Sequence, residues 1–365
     1  MNGFLMHRDT VVAEICDNNI KVVEETFLPL YLKRNGSIIT WIENRAIDRH
    51  RPHSRILKRI LRLKDKSDLA TAMRFNAATI TDNYWIQKSG ENLSYCDVRF
   101  SENYFDDLAL KADPDSLEKL ANIDVNQSRT PELTNIGSYE KCWKLEDGRW
   151  WLYKNANKFE QFSELFIASM GHSMGFNMAT YQPWAHGTKS LDFTENGRYD
   201  FVLAEELVGD DEDYITNYRA ISEWHPEFLD DYLDIIVCDA IFFNMDRHTK
   251  NYGFLRNAST GAYAGMAPNF DNNIALISRG YPSEKGMSRK NDLFINDFLD
   301  LLEAESVDYT LPVLDANQLS DTLKRMTVNS AIDMEIVKQF VLNGYERLER
   351  EIPQREILNG IDESR

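Results

Sequence analysis

The chain has 365 residues and carries 41 lysines and arginines against 59 aspartates and glutamates, a formal net charge of −18 at neutral pH; such a polyanion disfavours nonspecific adhesion to nucleic acid or to an anionic membrane. With 43% hydrophobic and 12% aromatic residues it is too apolar for a disordered chain and too long for one small core, so two or three packed domains are expected. Its four cysteines, Cys16, Cys96, Cys142 and Cys238, show no metal-ligand spacing and read as reduced thiols of a cytoplasmic protein, and the longest apolar stretch, near Ile235–Phe243, is broken by Asp239, so neither a spanning helix nor a signal peptide is read.

Within the first 125 residues one segment opposes the global charge: Arg45 to Lys66 holds six arginines, three lysines and two acids. Ile56, Ile60 and Leu63 recur at helical spacing with Arg55, Arg59, Arg62 and Lys66 between them, which predicts a basic amphipathic helix. Such a face is either solvated and paired with the chain's own acids or a grip for nucleic acid or an acidic partner, and it lacks interleaved aromatics that would stack on bases. The runs Thr81–Ile86 and Phe100–Phe105 read as packed structure, with Tyr84 and Trp85 in a core. A stretch rich in Asp, Asn, Ser, Thr and Pro over Asn122–Pro131 marks a boundary, giving an amino-terminal extension domain over residues 1–125.

Residues 126–207 read as an ATP-binding lobe. Thr134 to Lys141 sits where a phosphate-covering loop belongs, with a single glycine, Gly137, beside Ser138. Lys141–Leu145 and Trp150–Lys154 flank Asp147-Gly148, a pair that favours a hairpin turn with positive backbone angles. Alternation places Trp150, Leu152 and Lys154 on one face; Lys154 is either a strand-end lysine reaching solvent or a phosphate-neutralising one. Phe162–Met174, stopped by Gly175, is the next helix, with Glu164 in its first turn as the carboxylate partner. Tyr199–Val208 reads as a strand leaving this lobe, with Glu205 and Leu207 as hinge positions for adenine. The twelve acids and one arginine between Glu205 and Ala240 read as a solvated helix surface.

Residues 208–365 read as a second, mainly helical lobe. Glu227–Phe243 has apolar residues at helical spacing and runs into Asn244-Met245-Asp246-Arg247-His248, followed by Asn251. Five residues of helix would rotate Asp246 and Asn251 roughly 140° apart, so the two side chains converge only if this stretch is a loop. Tyr252–Leu255 and Ala262–Met266 form a hairpin signal that returns the chain to Asp271. An aspartate, an asparagine five positions later and a further aspartate are, in that order, the base and the two metal ligands of a kinase site. Helices are predicted over Lys290–Glu303 and Leu314–Glu351.

Asn244-x-Asp246-Arg247-His248-x-x-Asn251 together with Pro268–Asp271 resembles the HipA-like serine/threonine kinases, which include bacterial toxin kinases; the match runs from about Thr134 to Asp271. The resemblance implies an α+β, bilobal, protein-kinase-like fold related to lipid kinases, with ATP and Mg²⁺ as cofactors. It implies Asp246 as base, Asn251 and Asp271 as Mg²⁺ ligands, Lys154 as the ATP lysine and Glu164 as its ion-pair partner. Some members phosphorylate a serine of the phosphate loop, a position held here by Thr134, so Thr134 and Ser138 are the candidate autophosphorylation sites. The amino-terminal extension resembles those of HipA-like proteins from Firmicutes and their phages. A protein substrate is expected, and an antitoxin-like partner is compatible with the resemblance. The other readings are a lipid or small-molecule kinase of the same fold and a pseudokinase-like, nucleotide-binding interaction module whose basic segment binds nucleic acid.

Overall fold

The structure is a computed structural model and describes residues 1–34, 36–64, 67–111, 115, 118, 129–279, 292–326 and 332–352. Lys66, Lys290 and the part of the expected boundary before residue 129 lie outside the described residues. The chain divides into two compact units, one of residues 1–157, 179–210 and 248–270, the other of residues 158–178, 211–247 and 271–365.

All strands among the described residues belong to the first unit, in three antiparallel sheets. The first sheet is built from β1 (Gly3–His7), β2 (Thr10–Cys16), β3 (Asn19–Val22) and β4 (Tyr84–Lys88) in the order β3-β2-β1-β4. Side chains alternate across a strand, and here both faces are buried. Leu5, Tyr84 and Ile86 enter one apolar cluster with Trp41, Ile42 and Ala72 of two short helices. Met6 and Trp85 enter a second cluster that continues to Trp143 and Trp150. The core reading of Tyr84 and Trp85 therefore holds.

Those two tryptophans belong to the second sheet, β5 (Lys141–Glu146), β6 (Arg149–Asn155), β7 (Tyr181–Trp184) and β8 (Gly187–Leu191), in the order β5-β6-β8-β7. The β5–β6 hairpin forms where Asp147-Gly148 predicts it: their φ angles are 49° and 74°, the left-handed region that a two-residue hairpin turn needs. In the third sheet, β9 (Tyr199–Leu203) and β11 (Tyr263–Met266) flank β10 (Gly253–Asn257). A Cβ at position 253 would lie 2.2 Å from the Val202 carbonyl oxygen, so the approach of β10 to β9 requires glycine. The strand predicted over Tyr199–Val208 ends early. Ala204 turns into helical angles, and Glu205–Val208 is one helical turn stopped by Gly209 at φ 74°, a positive φ that glycine adopts without steric cost.

The basic segment also departs from expectation. Its helix covers Ser54–Ile60 only, with Leu57 and Leu61 buried and Ile56 exposed. Three of its cations point inward. The Arg45 guanidinium forks onto Asp82 at 2.8 and 2.7 Å; Arg51 donates to Glu132 at 2.9 Å and to the Asn135 and Lys141 carbonyls; Lys58 lies 3.7 Å from Asp68. Arg55, Arg59, Arg62 and Lys64 stay exposed. A third buried charge group, His7, Asp200 and Arg256, joins β1 to β9 and β10, with His7 Nε2 2.8 Å and Arg256 Nη2 3.2 Å from Asp200 Oδ2.

The second unit is helical: Lys158–Met174, Tyr214–Trp224, Leu229–Phe242, Leu293–Ala304, Ala316–Arg325 and Met334–Glu351 are its longer helices. Asp213, Asp315 and Asp333 accept backbone N–H groups at three of their starts, which satisfies donors that the helix leaves open. The single helix predicted over Leu314–Glu351 is thus two, each with its own aspartate cap. Phe162, Phe166 and Phe242 stack or meet edge to face in the core of this unit. No helix among the described residues is long and apolar enough to cross a membrane.

Within the first unit Glu206 ties the turn after β9 to the amino-terminal helices, its Oε2 accepting the Tyr31 N–H at 2.9 Å. Burial pushes its pKa up to about 7, against the effect of that hydrogen bond. An unfolded glutamate titrates near 4.3, so between these values the folded chain holds more protons and stability falls as pH rises. Glu206→Gln keeps an acceptor for Tyr31 without a charge. Urea unfolding is expected to show it close to the unmutated protein at about pH 4.5 and more stable by roughly 3 kcal/mol at pH 8; a difference independent of pH would remove Glu206 as the titrating group.

Candidate active site

The helix Leu229–Phe242 is almost wholly buried from Tyr232 onward, and within it lies Asp239, 1% exposed. A lone carboxylate at such depth is costly unless it is neutralised. Arg247 does this with a two-pronged contact, Nε to Oδ2 at 2.7 Å and Nη2 to Oδ1 at 2.9 Å. Burial alone would lower the arginine's pKa, and the Asp239 carboxylate more than reverses this, holding it well above its ordinary value. The helix stops because Phe243 takes a left-handed φ of 53°, and Asn244 then donates from Nδ2 to Asp239 Oδ1 at 2.9 Å. The Asp246 N–H donates to Asn244 Oδ1 at 3.1 Å. Asp246, half-buried, is therefore carried on a loop fixed from beneath by the Asp239–Arg247 pair.

The segment after Asp271 is stitched to that loop. Met245 N–H donates to the Ile274 carbonyl at 3.1 Å, and Asn244 and Ala275 form an isolated antiparallel bridge. Asn272 Oδ1 accepts from Asn244 Nδ2 at 3.1 Å and from Arg247 Nη2 at 2.9 Å. Its N–H donates to Glu164 Oε1 at 3.2 Å, and Ser163 Oγ donates to the Ala275 carbonyl at 2.7 Å. Glu164 is not in a first turn as predicted, because the helix begins at Lys158; it lies deeper along the helix and is 1% exposed. Asp271 itself has φ 62°, a conformation that costs a non-glycine residue of order 1 kcal/mol and persists where surrounding bonds hold it. Glu164, Asp246 and Asp271 thus share one frame in the second unit.

Lys154, Asn251, Glu205, Leu207 and the Thr134–Lys141 loop belong to the first unit, and the division of the chain falls between Arg247 and His248. Lys154, one residue before the end of β6, is half-buried, its ammonium 4.6 Å from the centre of the Tyr139 ring, a cation–π distance. Gly137 takes φ 112° and Ser138 beside it is exposed. Thr134 is buried, its Oγ1 donating to the Ala78 carbonyl at 2.6 Å. Asn251 is 5% exposed and its N–H donates to the His248 carbonyl at 2.8 Å. The Thr249 carbonyl accepts the Glu205 N–H at 3.0 Å, and Lys250 Nζ lies 3.1 Å from Glu205 Oε1, so the Asn251 loop is anchored on the expected hinge. The Glu205 N–H goes to Thr249 and the Leu207 N–H to the Ala204 carbonyl, so both of these amides already donate within the chain.

Asp239, Asn272 and Tyr139 were not picked out from sequence. The one signal for Asp239 was the break it makes in the apolar run Ile235–Phe243. Asn272 and Tyr139 carry no periodicity or spacing that marks them.

No protein-family model matches the sequence, and no curated protein matches it. Among solved structures the chain is similar to the HipA of Shewanella oneidensis MR-1, a toxin–antitoxin system protein seen with HipB and its operator DNA, at a TM-score of 0.55 and 11% identity over 95% of this chain and 97% of that one. It is also similar to the Helicobacter pylori proinflammatory kinase CtkA, at a TM-score of 0.43 and 19% identity over 58% of this chain and 90% of that one. The first likeness shows a HipA-like α+β fold.

Removing one member of a buried ion pair leaves the other charged in a low-dielectric interior, at a cost of about 3–5 kcal/mol. Asp239→Asn is expected to destabilise the chain by that order in urea unfolding, and Asp239→Asn combined with Arg247→Met to recover part of the loss. Equal stability of the single variant and the unmutated protein would show that the pair does not support this loop.

Proposed function

We propose that the chain is an ATP- and Mg²⁺-dependent serine/threonine protein kinase of HipA-like type. The observation that carries the reading is the buried frame of Asp239, Arg247, Asn244 and Asn272, which fixes Asp246 and Asp271 together in the second unit. A phosphoryl-transfer site requires a carboxylate for the acceptor hydroxyl and another for the metal, both held still, because positioning and electrostatics supply most of the rate.

In this reading Asp246 orients the acceptor hydroxyl and takes its proton as the oxygen bonds to the γ-phosphorus of ATP and the bond from that phosphorus to the β,γ-bridging oxygen breaks, releasing ADP. The carboxylate of Asp271 and the amide oxygen of Asn251 are hard oxygen donors, the type Mg²⁺ prefers; a bound Mg²⁺ would neutralise charge on the phosphates. Lys154 adds positive charge towards the phosphates. The amides about Gly137 and Ser138 cover the phosphates, and the Glu205–Leu207 turn receives adenine. His248, whose Nδ1 accepts the Lys250 N–H at 3.2 Å, orients its own loop.

Of the two hydroxyls proposed for autophosphorylation, Ser138 is exposed, whereas that of Thr134 is buried and already donates to Ala78. Ser138 is therefore the site we assign for the loop as it stands. Among the described residues the basic face proposed for nucleic acid or an acidic partner reduces to Arg49, Arg55, Arg59, Arg62 and Lys64, since Arg45, Arg51 and Lys58 are buried. An antitoxin-like protein partner and a cytoplasmic location belong to the same proposal, supported by the likeness to a HipA seen with HipB and operator DNA.

Intact mass before and after incubation with Mg-ATP tests the reading, with Asp246→Asn in parallel and the added phosphate mapped. The unmutated protein is expected to gain phosphate at Ser138, and Asp246→Asn to slow the gain about 10²–10⁴-fold. ATP binding with no phosphate moved to the chain or to an added protein acceptor would replace the kinase with a nucleotide-binding interaction module.

A further inference from the structure

We infer that Asn272 is a positioning residue that couples the metal-binding carboxylate to the base loop, a role that rests on the kinase reading of Asp246 and Asp271. Asn272 is 1% exposed and peptide-bonded to Asp271. Its single Oδ1 receives Asn244 Nδ2 at 3.1 Å and Arg247 Nη2 at 2.9 Å. Asn244 in turn holds the Asp246 N–H, and Arg247 is the next residue in the chain. From its own backbone Asn272 donates to Glu164 Oε1 at 3.2 Å. One residue, joined to Asp271 by the chain itself, therefore makes hydrogen bonds to both of the elements that carry Glu164 and Asp246.

The chemistry suits an amide. Two donors share one oxygen, and that oxygen sits near Asp239, which already neutralises Arg247. Both donors need only an acceptor oxygen, which a carboxylate beside the Arg247 guanidinium also offers; the amide provides it with no added charge. With its side chain and its N–H both held, Asn272 also fixes the peptide that follows the left-handed Asp271, so the direction of the Asp271 carboxylate depends on this bond set.

The test compares Asn272→Leu, which keeps volume and removes the acceptor, with Asn272→Asp, which keeps it. Binding of Mn²⁺·ADP is followed through the Mn²⁺ EPR signal, binding of ADP is measured in EDTA, and phosphate transfer from Mg-ATP is measured separately. Asn272→Leu is expected to weaken Mn²⁺·ADP about 10–100-fold and to lower kcat about 100-fold, with metal-free ADP binding unchanged; Asn272→Asp is expected to retain most of both. Unchanged Mn²⁺·ADP affinity in a folded Asn272→Leu overturns the inference, as does an equal loss in both variants or an equal loss of metal-free ADP. If Asn272→Leu does not fold, Asn272→Ser, too short to reach either donor, takes its place. Should the unmutated protein bind Mn²⁺·ADP yet transfer no phosphate, the kinase reading fails and the Mn²⁺ comparison still decides the role of Asn272. If it binds no Mn²⁺·ADP, both fall.

Discussion

The second unit depends on the Arg247–Asp239 pair. A carboxylate inside an apolar helix and a guanidinium inside a loop are each unfavourable when buried alone. Together they satisfy one another in fork geometry, and the oxygens and N–H groups that remain recruit Asn244 and Asn272. The loop bearing Asp246 has no regular backbone ladder of its own, so its order comes from these side chains and from the short bridge to Ala275. A wholly apolar helix would bury more surface and leave the loop without an anchor.

The first unit uses buried charge differently. Arg45 with Asp82, Arg51 with Glu132 and Arg256 with Asp200 connect short elements far apart in sequence, rather than shaping one loop. Small helices of four to seven residues bury little apolar area each, and such helices are marginal by themselves. Directional pairs fix which neighbours they meet. Two of these pairs take Arg45 and Arg51 inward from the basic run, while Arg49, Arg55, Arg59, Arg62 and Lys64 stay exposed.

Legibility followed the range of the forces. Local signals were readable: Asp147-Gly148 demanded a hairpin, and apolar spacing in Glu227–Phe243 demanded a buried helix before the Asp246 loop. Boundaries set by long-range packing were not. The helix of Glu164 starts four residues earlier than its apolar pattern suggests, since Lys158–Gln161 carry no strong periodicity. The strand after Tyr199 ends at Leu203 because Gly209 closes a helical turn. The basic helix stops at Ile60, with Arg62 at a left-handed φ of 54°, and Arg45 and Arg51 ahead of it find acids about 40 and 80 residues away, distances at which sequence gives no pairing rule. The order Asp246, Asn251, Asp271 was visible as residue types. The frame that orients two of them was not, since an asparagine such as Asn272 looks in sequence like any turn residue.

Strain and support meet at Asp271. Its left-handed backbone is a conformation that aspartate tolerates better than most residues but does not prefer. Without restraint the segment would relax and turn its carboxylate elsewhere. The peptide that follows is held at both its N–H and its side chain, and the next residues are fastened by Met245 and Ser163. Those bonds are made by groups whose own positions trace back to Asp239, or by a helix that packs independently of the loop. Local strain is therefore stabilised by a network whose members are individually ordinary, and the carboxylate direction that phosphoryl transfer would need is fixed by the fold before any ligand binds.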